Sequence, residues 1–284
     1  MRARWVLNLI LAAIVLGLGL LAYFKPDTNK SAANALTALA PDAAAQIRLE
    51  RAGQTVTLTK TPTGWRMTAP MAARANQFNV DGLLRVLTAP SSYRVPAKPD
   101  ELANYGLDKP ALRLRIDDEE MLVGAIHPLK REHYLLYRDG VHLVPTTVLA
   151  PAFFDYTSFI SSQLLEDGRQ LVALHLPGLE LARQDGTWRQ TSPAKKTNAD
   201  LSGDRINAFV AHWQNARALS VARLSAAPSV ERIRLDLETD AKRDTLVLDI
   251  LAYKPELILA RRDEGLEYHF PEDVGKQLLN LTAE

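Results

Sequence analysis

Apolar residues along this chain fall into three kinds of run. The first is unbroken. Residues 5–24 read WVLNLILAAIVLGLGLLAYF, opened by Trp5 and closed by Phe24, with no charge and with Asn8 as the one amide. At about 1.5 Å per residue a helix of this length spans roughly 30 Å, the hydrocarbon thickness of a bilayer. The second kind has helical period. Val80, Leu83, Leu84 and Leu87 stand at i, i+3, i+4 and i+7, with Asn79 as a cap candidate and Pro90 as a stop. Ile206, Phe209, Val210 and Trp213 repeat that spacing, with Ser202 as the cap candidate. The third kind alternates. In ALRLRI, Leu112, Leu114 and Ile116 alternate with Arg113 and Arg115, and RIRLDLE, starting at Arg232, follows the same rule. Such alternation predicts strands of a sheet wet on one face. Further strands are predicted around Ile47–Leu49, at TVTLT from Thr55, at GWRM from Gly64, and in the hairpins HYLLYR/VHLV and ELILARR/LEYHF.

The unbroken run predicts an anchor. Arg2 and Arg4 precede it, and Lys25, Asp27 and Lys30 follow, so the positive-inside rule leaves the short N-terminus in the cytoplasm. Trp5 and Tyr23 lie near the two ends, where aromatic rings favour the headgroup region. The rival reading is a cleaved signal peptide with Ala33-Asn34-Ala35 as its small-residue site, although this lies well beyond the apolar run. On either reading the residues after Phe24 leave the cytoplasm. Residues 25–45, rich in Ala, Asn, Asp and Pro, read as a tether.

The rest of the chain reads as a duplication. GWRMTAP begins at Gly64, and TWRQTSP stands 123 positions later. The same offset pairs Trp65 with Trp188, Arg66 with Arg189, Thr68 with Thr191 and Pro70 with Pro193. It pairs Leu83 with Ile206, Leu87 with Val210, Leu112 with Leu235 and Leu114 with Leu237. After small insertions YRDGVHLVPTTV lies against RRDEGLEYHFPEDV, with Pro145 facing Pro271. The expected architecture is α+β: one N-terminal transmembrane helix (residues 1–24 with the cytoplasmic tip), the tether, and two mostly antiparallel sheet-plus-helix lobes. The lobes cover 46–157 and 171–284, with 158–170 as connector. Trp65 and Trp188 are then repeat-core residues stapling sheet to helix, with Arg66 and Arg189 on the opposite face.

GWRMTAP, the VDGLLRVL helix, YGLDKP ahead of the LRLRI strand, and HYLLYRDGVHLVP together resemble the bacterial domain-of-unknown-function 4340 family. The second half follows the pattern more loosely, since AAPSVERIRL has no aromatic-Gly-Leu element before its strand. The resemblance implies an envelope protein accessory to an ABC-type transporter of the gliding-motility auxiliary class; with the apolar run, the expectation is a single-pass protein of the bacterial inner membrane, its bulk periplasmic. It carries over no catalytic residue.

Composition narrows the chemistry. Cysteine is absent, which excludes thiolate catalysis, disulfides and Cys-based zinc sites. A net charge of +1 speaks against nucleic acid as a partner. The six histidines form no H-x-x-x-H or HExxH pair, and Asp117-Asp118-Glu119-Glu120 lacks the EF-hand glycine and distal glutamate, so it reads as a solvated hairpin turn. PLKREHY, from Pro128, is a small basic loop. No G-x-S-x-G or phosphate loop occurs, and neither cofactor nor metal is expected. APAFFDYTSFI concentrates Phe153, Phe154, Tyr156 and Phe159 between the lobes, either as packing of lobe on lobe or as a partner-binding patch. The expected function is a non-catalytic, membrane-anchored binding accessory. The alternative is a periplasmic hydrolase or glycan-binding protein with its site in the inter-lobe cleft, using Arg66 or Arg189 with Asp81 or Asp204.

Overall fold

The computed structural model describes residues 35–91, 93–191, 203–240 and 242–281. The apolar run 5–24, tether residues 25–34, Pro193 and the cap candidate Ser202 lie outside the described residues. Among the described residues no helix is long and apolar enough to cross a membrane.

Two antiparallel sheets with few helices make a mostly β fold, which corrects the α+β expectation. The first sheet contains β1 (Gln46–Arg51), β2 (Gln54–Thr61), β3 (Gly64–Ala69), β4 (Ala73–Arg74), β5 (Arg94–Pro96), β6 (Leu112–Ile116), β7 (Glu119–Ile126), β8 (Glu132–Tyr137) and β9 (Gly140–Pro145). Its order is β4-β3-β2-β1-β6-β7-β8-β9-β5. The second contains β10 (Gln170–Leu176), β11 (Leu179–Gln184), β12 (Thr187–Gln190), β13 (Ser220–Arg223), β14 (Glu231–Thr239), β15 (Lys242–Ala252), β16 (Leu257–Arg261) and β17 (Leu266–Phe270). Its order is β12-β11-β10-β14-β15-β16-β17-β13. Apart from the short edge strand β4, the two orders correspond strand for strand.

The helices occupy matching places as well. Helix α1 (Gln77–Leu84) precedes β5, and α3 (Gly203–Gln214) precedes β13; α2 (Thr146–Leu149) follows β9, and α4 (Glu272–Leu279) follows β17. Val80, Leu83, Leu84 and Leu87 are buried, as are Ile206, Phe209, Val210 and Trp213. The cap of α1 is Asn76, not Asn79. The Asn76 side chain accepts from the Asn79 backbone N–H, while the Asn79 amide donates to the Ser158 carbonyl at 2.7 Å. A side chain at the cap position satisfies an orphan N–H that one inside the helix cannot reach.

In β6, Leu112, Leu114 and Ile116 face in while Arg113 and Arg115 face out; Ile233, Leu235 and Leu237 of β14 are likewise buried. The sequence reading draws no strand at β4, β5, β7, β10, β11, β13 or β15. The acidic run explains the omission of β7. Only Asp117 and Asp118 form the turn, because Glu119 and Glu120 already belong to β7. Asp117 takes a positive φ of 50°, and its carboxylate accepts from the Ala45 and Gln46 N–H groups, pinning the entry to β1. The buried side chains of both sheets form one continuous cluster.

Candidate functional site at the sheet junction

Residues 158–170 are a strip stitched to both halves. On one side Asn76 N–H donates to the Phe159 carbonyl at 2.8 Å, Ser161 N–H donates to the Arg74 carbonyl at 2.8 Å, and Ala75 pairs with Ile160. On the other side Leu164 N–H donates to Ala216 at 2.9 Å and Ala218 N–H donates to Ser162 at 2.8 Å. Both halves thereby satisfy backbone groups that burial at the junction would otherwise orphan.

Two arginines fill the space beneath this strip. Arg74, at the end of β4, bonds Glu264 through Nε at 2.8 Å, the Tyr268 hydroxyl at 3.0 Å and the Gln163 carbonyl at 2.8 Å. Arg261, at the end of β16, has a side chain only 2% exposed. It donates to the Leu164 carbonyl at 2.9 Å, to Glu166 at 3.0 Å and to Asp263 at 2.6 Å. Tyr268 donates to Glu264 at 2.7 Å, which closes the network. Arg169 extends it outward, from Glu166 at 3.0 Å to Asp244 at 2.8 Å.

The protonation states follow from this crowding. Burial works against a charged Glu166 carboxyl, but the Arg261 guanidinium outweighs it and holds the carboxyl down to about 2. Burial likewise opposes the charge on Arg261, and Asp263, Glu264 and Glu166 more than compensate, so its pKa is raised. Burial and Glu264 both raise the Tyr268 hydroxyl above its ordinary value, so it stays a donor. These ionisable groups are committed to one another, the arrangement of a latch between two bodies. The sequence contained no sign of it, because Arg74 and Glu264 are separated by 190 positions.

The candidate aromatic patch comes apart. Phe159 is fully buried, so it packs lobe on lobe and cannot face a partner. Phe153 is half-buried, its ring stacked on His133 at 5.3 Å, and the Arg51 guanidinium lies 6.0 Å from the ring centre. Tyr156 is half-buried against the core. Phe154 alone of the four is exposed, at 39%. A 3-10 turn at Tyr156–Phe159, capped by the Asp155 carboxylate on Thr157 N–H, rotates successive side chains in and out. The two repeat-core tryptophans also differ. Trp65 is 6% exposed, whereas Trp188 is half-buried beside an open groove of about 580 Å³ between β11 and α3.

Arg66 and Arg189 are exposed on β3 and β12, and the Asp81 carboxylate accepts from Gln77 at 2.6 Å. His142 is buried and bonded to the Ser91 hydroxyl at 2.9 Å; burial, and then Arg94, lower its pKa. His269 lies between Glu256 and Glu267. Among the described residues no group of three or more His, Asp or Glu side chains is placed to hold a metal ion.

With its two sheets locked at one junction, this is a protein of paired antiparallel units. The chain belongs to the family described as a domain of unknown function, DUF4340, whose model matches residues 65–238. The match runs from Trp65 in the first sheet to Glu238 in the second, so it covers Arg74 and the strip 158–170 but not Arg261, Glu264 or Tyr268. No curated protein and no solved structure gave a significant match.

Proposed function

We propose that this chain is a non-catalytic binding module of the bacterial cell envelope, held at the periplasmic face of the inner membrane by residues 5–24 and acting as an accessory to a membrane complex of the ABC-transporter type. The observation that carries the reading is the uncharged 20-residue run, Trp5 to Phe24, set ahead of a folded body on a short tether. An anchor confines the body near the membrane and raises its effective concentration for a membrane partner. The matching strand orders support two copies of one ancestral unit, which present a broad paired surface.

The alternative, a hydrolase or glycan-binding protein with its site between the lobes, is less well supported. The junction's arginines and carboxylates are spent on each other, and Arg74 and Arg261 fill the space such a site requires. Two measurements test the proposal. A periplasm-active reporter fused after Glu284 is expected to be active, and activity of a cytoplasm-only reporter there would sink the topology. The intact chain, extracted in mild detergent, is expected to co-purify with integral transport subunits. Turnover of a periplasmic substrate by the purified chain, abolished by Arg66→Ala or Asp81→Asn, would overturn the non-catalytic reading.

A further inference from the structure

We infer that the loop between β7 and β8, residues 127–131, docks on an anionic lipid surface, with Leu129 entering the headgroup layer and Lys130 and Arg131 facing lipid phosphates. Leu129 is 91% exposed, the most of any large apolar side chain among the described residues, and Ile126 beneath it is 57% exposed. Leu129 buries almost none of its apolar surface in the isolated fold, so it adds nothing to the core there. The loop is nevertheless built to hold it there. Leu129 N–H donates to His127 Nδ1 at 3.1 Å, Lys130 N–H donates to the His127 carbonyl at 3.3 Å, and His127 N–H donates to Glu132 at 2.8 Å. The base is aromatic, with the Tyr134 ring 4.9 Å from Tyr105 and 5.6 Å from His127. An ordered apolar tip flanked by cations matches the interface of a bilayer rich in anionic lipid, where apolar contact and charge attraction act together. Glu132 lies 3.8 Å from Lys130 and offsets part of that charge; Arg131 is exposed.

The chain's path puts the loop within reach of a membrane. This inference rests on the anchor reading. The tether residues 25–34 span at most about 35 Å when fully extended. They end at Ala35, which bridges to Pro90, and Leu36 and Thr37 donate to the Ala89 and Leu87 carbonyls at 3.1 Å. The 3-10 turn Arg85–Thr88 beside them packs on α2, and the first N–H of α2, that of Thr146, donates to the Arg131 carbonyl at 3.0 Å. The end of the tether and the base of the loop are therefore linked through two adjoining turns, Arg85–Thr88 and α2.

The test uses the full chain in lipid nanodiscs. Because native cysteine is absent, Leu129→Cys carries a single environment-sensitive fluorophore, and Val230→Cys, exposed on the second half, is the control. In phosphatidylglycerol discs the probe at 129 is expected to shift to the blue and to be quenched by nitroxide lipids, while the probe at 230 stays wet. Reversing both charges with Lys130→Glu and Arg131→Glu should lower the docked-to-free ratio by about tenfold or more. A chain that enters discs with a wet probe at 129 overturns the docking and leaves the anchor standing. A chain that fails to enter discs overturns both. Equal quenching in phosphatidylcholine and phosphatidylglycerol discs overturns the role assigned to the two cations.

Discussion

At the scale of single residues, environment decides consequence more than residue type. Arg261 is the clearest case. Its side chain is 2% exposed and answers Glu166, Asp263 and Glu264. Removing one partner of a buried ion pair leaves the others uncompensated, so Arg261→Ala should cost about 3–5 kcal/mol in urea unfolding. The same pair predicts an acid limb. Glu166 has a folded value of about 2 against an ordinary 4.5. A depressed carboxylate stabilises fully above its unfolded value and loses that contribution as pH falls toward its folded value. Stability should therefore decline between about pH 4.5 and 2, and Glu166→Gln, which lacks the titrating group, should flatten that window at the expense of lower stability at neutral pH. Phe159 and Phe154 are five positions apart and should separate equally well. Phe159→Ala is expected to cost about 3–5 kcal/mol, whereas Phe154→Ala should stay within about 0.5 kcal/mol. If both lowered stability alike, the division of the aromatic segment would be wrong.

At the scale of elements, the YGLDKP stretch shows how a loop is locked to a strand. Gly106 takes a positive φ of 65° after the 3-10 turn Leu102–Tyr105, and Leu107 is buried. The loop then lies so close over β7 that a Cβ on Gly124 would stand 2.3 Å from the Tyr105 carbonyl and 3.0 Å from Leu107. Backbone cannot yield as a side-chain tip can, so Gly124→Ala should destabilise by about 1–3 kcal/mol. Gly203 has no atom within 4 Å of such a Cβ and a helical backbone, so Gly203→Ala should be neutral or mildly stabilising. Chemical denaturation of the two variants side by side checks the contrast. YGLDKP was legible as part of the family resemblance; the glycine it presses on, Gly124, was invisible because the contact joins separate elements.

At the scale of the whole molecule, two sheets behave as one body because the strip 158–170 and the arginine network join them. Arg74 reaches across from β4 to Glu264 and Tyr268 while holding the Gln163 carbonyl. Arg74→Met should leave the β6–β7 and β14–β15 ladders protected and loosen the junction between them. In hydrogen exchange, the amides of Ser161, Leu164 and Ala218 are expected to exchange faster, with the ladder amides unchanged. Unaltered exchange at those three amides would show that backbone pairing alone holds the halves. On the proposed reading, a rigid pair would present both halves to a membrane partner as one unit.

Short-range periodicity carried most of what was legible in this chain. The 20-residue apolar run was legible from composition alone. The i, i+3, i+4 spacing of α1 and α3 and the alternation of β6 and β14 each lie within one element, where side-chain direction repeats with the backbone. The offset of 123 positions between Trp65 and Trp188 was legible for the same reason, as a comparison of local patterns. Tertiary structure decided what depends on distant neighbours. It set β1 beside β6, turned Phe159 in and left Phe154 out, and opened the position of Trp188 while closing that of Trp65. It also gathered Arg74, Glu166 and Glu264 into a latch around the buried Arg261. Burial and ion pairing depend on what the chain brings alongside, and 190 positions separate Arg74 from its carboxylate.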